Sequence, residues 1–290
     1  MADTGLSLIG CTKILELTGT PKLPMKMPSD VAVDMQGRVY VVDSGNHRVL
    51  VYTSGGEYLF SFGSVKSGND ELKLPVGIAI AKDGRVLIAD RANKKIQIFN
   101  RDGKYLKTID TVVNKTTYVP VDVAVDQAEK RIYVTVTSPI HQVFVLDNDG
   151  KLMSRIGKPG DNEGEFRYPA TIAVSENDEL YVVDVLNTRV QVLNYKGEFL
   201  VTVGSWGVSQ SQLFRPKGVT LTKDQQVLIS DSYLGVVQMY NSDTRFKGVL
   251  GMDGDIAHFT TPVGLAVDDR NHLYITEALA NRVSVCQLTP

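Results

Sequence analysis

The 290-residue chain has two cysteines, one tryptophan and four histidines. Two cysteines cannot build a disulfide-rich scaffold, and neither Cys11 nor Cys286 sits in a Cys-x-x-Cys pair. No apolar stretch approaches the roughly 20 residues needed to span a bilayer. The formal net charge is −2 with no block of like charge, so the basic surplus of a free-standing nucleic-acid binder is missing. Gly-x-Ser-x-Gly, His-Glu-x-x-His and a phosphate loop are also absent, which removes positive evidence for an enzyme without excluding one. No segment sustains a helical period, so almost no helix is expected.

At the amino terminus, Met1 to Gly5 holds no Lys or Arg, and Leu6 to Ile9 is short for a secretory signal. Leu8-Ile9-Gly10-Cys11 resembles a bacterial lipoprotein cleavage box, but the same residues read as a strand end or a chance match. The compartment stays open: cytoplasmic, or exported with its signal removed.

What the chain does have is repetition. A proline followed by a short apolar run opens at Pro28, Pro75, Pro120, Pro169, Pro216 and Pro262, spaced 45 to 49 residues apart. A period of this size marks a solenoid or a propeller. The fourth copy is the easiest to parse. Thr171 to Val174 is a continuous apolar run, Leu180 to Asp184 is rich in β-formers, Arg189 to Leu193 alternates, and Glu198 to Val203 follows a Lys196-Gly197 hairpin. Four antiparallel strands make one propeller blade. Gly55-Gly56, Asp102-Gly103 and Asp149-Gly150 repeat the hairpin glycine, whereas Ser242-Asp243-Thr244 predicts a looser turn.

The last copy stops after its third strand, Arg282 to Leu288. Lys13 to Gly19 fits the missing fourth strand, with Leu6 to Gly10 as a second candidate. With the first choice, Cys11 lies near the turn end of the Cys286 strand. A disulfide there and two unrelated buried thiols are both open.

Between second and third strands runs a polar signature: Asp43-Ser44-Gly45-Asn46-His47-Arg48, Asp90 to Lys95, Asp184 to Arg189 and Glu277 to Arg282. Acid and base can pair across the hairpin, and Asn suits a left-handed turn position. With the Pro-x-[Gly/Asp]-[Val/Ile]-Ala-Val opening and the Tyr-Val-Val-Asp strand, this resembles the NHL-repeat family. The resemblance implies an all-β, six-bladed propeller of four-stranded antiparallel blades. It covers the chain from residue 13 onward and makes one domain over 1–290, with its last blade closed by the amino-terminal strand. It does not imply one activity. Two copies depart from the signature, at Thr135 to Gln142 and at Gly235-Val236, and lose the ion pair.

Inner strands begin with Asp30, Gly77, Asp122, Thr171, Gly218 and Gly264. Related calcium-dependent lactonases gather Glu, Asn and Asp at this rim, and here Asp30 and Asp122 are its only acids, short of the 6–8 oxygens calcium takes. Related propeller lyases hold zinc with histidines. His47, His141 and His258 map to one face, in outer turns rather than on the axis, and His272 maps to the other. No cofactor follows from this. The loop face is neutral by count, with one basic cluster at Arg91, Lys94 and Lys95. It carries large side chains, among them Phe166, Phe214 and Phe259, whose recurring offsets fit packing between blades. Trp206, Tyr118 and Tyr233 do not recur and fit contact with a partner.

The expectation is a monomeric, non-catalytic platform that recognises a protein segment or peptide, or a small molecule, on its loop face. Two alternatives stand beside it: a metal-dependent hydrolase or lyase at the channel mouth, and single-stranded RNA binding.

Overall fold

The computed structural model describes residues 7–63, 68 and 70–289. Met1 to Leu6, named above, lie outside that range. The fold is an all-β propeller of four-stranded antiparallel blades. The blade opening at Pro169 shows the pattern, with strands Pro169–Val174, Leu180–Asp184, Arg189–Leu193 and Phe199–Val203 paired in that order. The opening strands Pro28–Val33, Pro75–Ile80, Pro120–Val125, Pro169–Val174, Pro216–Leu221 and Pro262–Val267 touch in a closed cycle around an axis. Among the described residues the only helical pieces are two short 3-10 turns, Ser44–Asn46 and Val185–Asn187.

The core lies between blades. Val42 and Val49 of one blade pack with Ile78 and Val86 of the next, and Leu87 and Ile96 pack with Val134 and Phe144. Second and third strands are buried on both faces, which is why they read as apolar runs. Each fully buried Val or Leu contributes about 1.5–3 kcal/mol.

Closure uses one strand twice. In Leu8–Leu17, residues Leu8 to Gly10 run parallel to Val249 to Gly251 of the preceding blade. From Cys11 to Leu17 the strand then pairs antiparallel with Val283 to Leu288 of the last blade, across a register shift between Lys13 and Leu15. The two candidate segments thus belong to one strand. Cys11 and Cys286 form a disulfide across it, with Cα atoms 5.5 Å apart.

The polar signature works differently from a surface ion pair. Asp43, Asp90, Asp184, Asp231 and Glu277 are fully buried, and each accepts backbone N–H groups from the loop that enters its own blade. Asp43 accepts from Lys26 at 2.7 Å, Asp184 from Arg167 at 2.7 Å and Glu277 from Thr260 at 2.6 Å. The expected bases are present as second partners: Arg48 to Asp43 at 2.7 Å, Arg189 to Asp184 at 3.1 Å and Arg282 to Glu277 at 2.7 Å.

Asn46, Asn93 and Asn187 do not take the left-handed position. They donate to the acid three residues back and to a carbonyl of the entering loop. The left-handed residues are His47, Lys94, Thr188 and Asn281. In the blade that lacks the base, Asp231 gathers Phe214, Arg215, Tyr233 and Leu234 N–H groups instead. In the blade that lacks the acid, Val119 N–H bonds Ser138 O, and Thr137 N–H bonds Val119 O. Nor is the Ser242-Asp243-Thr244 turn looser: Thr244 adopts φ 64° and bonds Asn241 O at 2.8 Å, as Gly197 bonds Asn194 O at 2.8 Å.

Two outcomes follow for stability. Asp184→Ala strands the loop N–H and the Arg189 charge, and should cost about 3–5 kcal/mol in denaturant unfolding; the exposed Asp243→Ala should stay within about 0.5 kcal/mol. A cost for Asp184→Ala as small as that of Asp243→Ala would refute the anchoring role. Unreduced, denatured protein should titrate with no free thiol, and Cys286→Ser should lose about 2–5 kcal/mol.

Candidate active site at the channel mouth

The residue after each opening proline reaches one axial cavity of about 140 Å³: Ser29, Val76, Val121, Ala170, Lys217 and Val263 line it. Asp30, Asp122, Thr171 and Gly264, one position further in, complete it with Tyr168. A larger cavity of about 480 Å³ lies beside Cys11, between the closing strand and Gly251 to Gly254. It brings together fewer groups able to move protons, so chemistry rather than volume selects the mouth.

Asp30 and Asp122 are 7% and 4% exposed. Each clamps its blade to the following one. Asp30 Oδ2 accepts the Ile78 N–H at 2.9 Å and Asp122 Oδ2 accepts the Ile172 N–H at 2.9 Å. Asp30 Oδ1 also accepts the Val31 N–H at 2.9 Å, whereas Asp122 Oδ1 is buried without a well-formed hydrogen bond and feels the Val123 N–H only electrostatically. Neighbouring glycines make room for these carboxylates. A Cβ on Gly77 would lie 2.2 Å from Asp122 Oδ1, and one on Gly264 would lie 2.3 Å from Asp30 Oδ1.

Burial pushes the Asp30 carboxyl up to about 7. Burial first, and the Asp30 charge second, push Asp122 well above the usual carboxylate range. One buried charge disfavours the other, so the two acids titrate as a pair.

Opposite in sign stands Lys217, half-buried. Burial, then Arg215, then Arg91, hold its ammonium below the usual lysine range. Arg215 is exposed next to Pro216, whereas Arg91 comes from the Pro75 blade on the other side of the mouth. Tyr168 precedes Pro169 at φ 69°, a conformation uncommon for a bulky residue. Met27 and Thr261 adopt it at the same place in their repeats, so the turn requires it. The His141 ring meets Tyr168 edge-on at 6.3 Å.

The expected partner residues scatter. Trp206 is 69% exposed in a short strand, Ser205–Trp206. Tyr233 is exposed and stacked on Phe214, with ring centroids 4.2 Å apart. Lys94 is exposed, and Lys95 lies 3.9 Å from Asp110. Tyr118 is a correction: only 4% exposed, it packs edge-on against Phe144 at 4.7 Å because its loop folds in under Thr111. None of the residues proposed for contact lines the mouth cavity. Lys217 and Tyr168 were missed as mouth groups. The signal for Lys217 was present, as the one charged residue directly after a repeat proline.

The metal candidates do not converge. His47 and His141 are half-buried in separate turns and His258 is exposed. Among the described residues no three His, Cys, Asp or Glu side chains group as ligands. The mouth also fits poorly to calcium, which takes 6–8 oxygens. Asp30 spends both oxygens on backbone N–H groups, Thr171 Oγ1 donates to Lys217 O at 2.5 Å, and Lys217 places a cation at the same cavity. The donors present do not suit a divalent cation.

Fold and site together define a propeller with a buried acid pair at its axial mouth. The chain belongs to the SMP-30/gluconolactonase/LRE-like family, whose model matches residues 10–182. This is the family shown, and it is not specifically the NHL-repeat family. The sequence finds no match among curated proteins. Among solved structures it is similar to a putative gluconolactonase at 14% identity, over 97% of this chain and 92% of that one, with a TM-score of 0.71. It is similar to a gluconolactonase of Xanthomonas campestris at 16% identity, over 91% and 87%, with a TM-score of 0.69. It is also similar to an inactivated virginiamycin B lyase of Staphylococcus aureus with quinupristin, at 16% identity, over 95% and 87%, with a TM-score of 0.66. At such identities these structures speak for the fold.

The family match overturns the non-catalytic platform expected from sequence, and the hydrolase-or-lyase alternative fits better. Among the described residues no helix is long and apolar enough to cross a membrane.

The acid pair makes a pH prediction. A carboxyl with a raised folded pKa binds more protons folded than unfolded between the ordinary aspartate value and about 7, so stability falls as pH rises through that window. The loss for Asp30 is of order 4 kcal/mol, at about 1.4 kcal/mol per pKa unit. Asp30→Asn should flatten the slope of unfolding free energy between pH 4 and 7. An unchanged slope would mean that Asp30 ionises normally.

Proposed function

We propose that the chain is a hydrolase or lyase whose reaction runs at the channel mouth, on a small molecule, with Asp122 as proton donor and Asp30 as proton acceptor. One observation carries this: a carboxylic acid at the mouth cavity has a buried oxygen without a well-formed hydrogen bond, and burial and a second acid favour its protonated form. Pairs of acids with separated pKa values are how a site runs acid and base chemistry together. Family membership and the lactonase and lyase names of the structural relatives point the same way.

For a lactone the steps balance. Water adds to the carbonyl carbon and passes a proton to ionised Asp30. Lys217 stabilises the developing oxyanion. The ring C–O bond breaks and its oxygen takes the Asp122 proton, leaving a hydroxy acid. The proton on Asp30 then returns to Asp122. An elimination would use the same pair, with Asp30 taking a carbon-bound proton instead of one from water. We propose further that the blades number six, opening near residues 28, 75, 120, 169, 216 and 262. In this reading they form one domain over 1–290 of NHL-like repeats, and the strand about residues 13–19 closes the last of them.

The test is turnover of a panel of small lactones, esters and elimination substrates, followed across pH. Activity should rise through about pH 7 as Asp30 ionises and fall when Asp122 does. Asp122→Asn should lose about 100-fold or more in kcat, general acid catalysis being worth about 10²–10⁴, with an unchanged circular dichroism spectrum. Turnover that survives Asp122→Asn, or no turnover of any panel member, counts against the reading.

A further inference from the structure

We propose that Ser29 is a further catalytic residue of the mouth, whose hydroxyl donates a hydrogen bond to the acyl oxygen of the substrate alongside Lys217. This deepens the reading above and rests on it for the reaction, but not for the contact.

Three observations meet here. The first is an unspent hydroxyl. Ser29 lines the axial cavity, and its Oγ is buried without a hydrogen-bond partner among the described residues. Hydroxyls nearby are spent instead on carbonyls of the opening strands: Thr135 Oγ1 donates to Ala170 O, Thr171 Oγ1 to Lys217 O, Ser230 Oγ to Val263 O and Thr276 Oγ1 to Gly264 O. A buried hydroxyl left unpaired costs free energy that a ligand can return.

The second is placement. In the closed cycle of opening strands, Ser29, Asp122 and Lys217 stand on alternate members, Pro28–Val33, Pro120–Val125 and Pro216–Leu221. The strands between them line the cavity with Val76, Ala170 and Val263. A small acyl group held by these apolar residues is therefore met by a hydroxyl, a carboxyl and an ammonium from three sides.

The third is a fixed backbone under a free side chain. Asp30, the next residue, accepts the Ile78 N–H of the following blade at 2.9 Å. On the other side, a Cβ on Gly264 would lie 2.9 Å from the Ser29 carbonyl oxygen, so the bare glycine lets the last blade pack against Ser29. No hydrogen bond tethers the Ser29 side chain, so it is free to turn about χ1 between staggered positions toward a ligand. Its hydrogen bond strengthens as charge develops on the acyl oxygen, because bonds to charged acceptors are about twice as strong as neutral ones. The proton stays on Oγ throughout, and no bond forms or breaks at Ser29.

Ser29→Ala, Ser29→Thr and Ser230→Ala, each made in the whole chain, test this by three readouts. In turnover of the lactone and ester panel, Ser29→Ala should lose about tenfold or more in kcat with a much smaller change in KM, one oxyanion donor being worth up to about 10²–10³. Ser29→Thr keeps the hydroxyl and should recover part of the loss. In isothermal titration, a monoester of methylphosphonate, tetrahedral and anionic like the intermediate, should bind wild type about tenfold or more tightly than Ser29→Ala. In denaturant unfolding, Ser29→Ala should match wild type, because its hydroxyl holds no protein group. Ser230→Ala gives up bonds to the Gly218 N–H and Val263 O, and should unfold at lower denaturant. A loss of stability in Ser29→Ala as large as that in Ser230→Ala would make Ser29 structural and overturn the proposal. Phosphonate binding that is equal in Ser29→Ala and wild type, or absent from both, overturns it as well. Turnover by wild type with equal kcat and equal phosphonate binding in Ser29→Ala would sink Ser29 and keep the proposed reaction. Weaker phosphonate binding by Ser29→Ala, with no panel member turned over, would do the reverse.

Discussion

A carboxylate buried at the end of a blade's second strand holds this molecule's working surface in place. It is too deep for water, so it must be satisfied by protein donors. The loop arriving from the previous blade supplies them through its backbone, as Arg167 does for Asp184 and Thr260 does for Glu277. The residues fixed by those bonds lie one or two positions before the opening proline. Mouth geometry is thus set by hydrogen bonds made at the blade's second strand, one strand away from the axis. Where the acid is missing, at Val136, the chain substitutes backbone bonds between Val119, Thr137 and Ser138. Interchangeable solutions show that the requirement is pairing of the loop backbone, and not the ion pair.

The axis obeys a second constraint, which is space. Neighbouring opening strands approach so closely that a Cβ on Gly77, Gly218 or Gly264 would overlap the next blade. Two of those gaps are filled by the carboxylates of Asp122 and Asp30. An apolar or neutral side chain would avoid the cost of burying an acid. These acids lower stability at neutral pH, and one oxygen of Asp122 gains no hydrogen bond for it. Each acid does return one interblade bond, to Ile78 or to Ile172, and local arrangements that break a packing rule in this way concentrate at functional sites.

Much of the architecture was legible because strand geometry imprints period-two and buried-run patterns directly on sequence. The proline openings, the hairpin glycines and the Tyr-Val-Val-Asp strand each have a local cause. The site was less legible for a physical reason. Lys217 shares a cavity with Asp30 and Asp122, far from it in sequence, only because the opening strands ring one axis, and a charge count over loops passes over Lys217 because it sits inside a strand. Tyr118 illustrates the reverse error. A non-recurring aromatic in a loop looks free, but burial depends on where the loop folds. The Asn of the signature also has two uses, left-handed turn or donor, which composition does not separate.

Membership in a lactonase-named family and a mouth that does not suit a divalent cation are compatible. A propeller fixes where the substrate can sit, and strand positions around the axis choose the chemistry. A divalent cation at such a mouth would supply positive charge to polarise a carbonyl and a site to orient the ligand. In the reading proposed here, Lys217 supplies positive charge at the cavity, and the acid pair that shares the cavity supplies proton transfer. The two arrangements exclude each other locally, since an ammonium at the cavity repels a divalent ion at the distances involved. Lys217 after Pro216 and a rim with only two acids are therefore two aspects of one electrostatic arrangement.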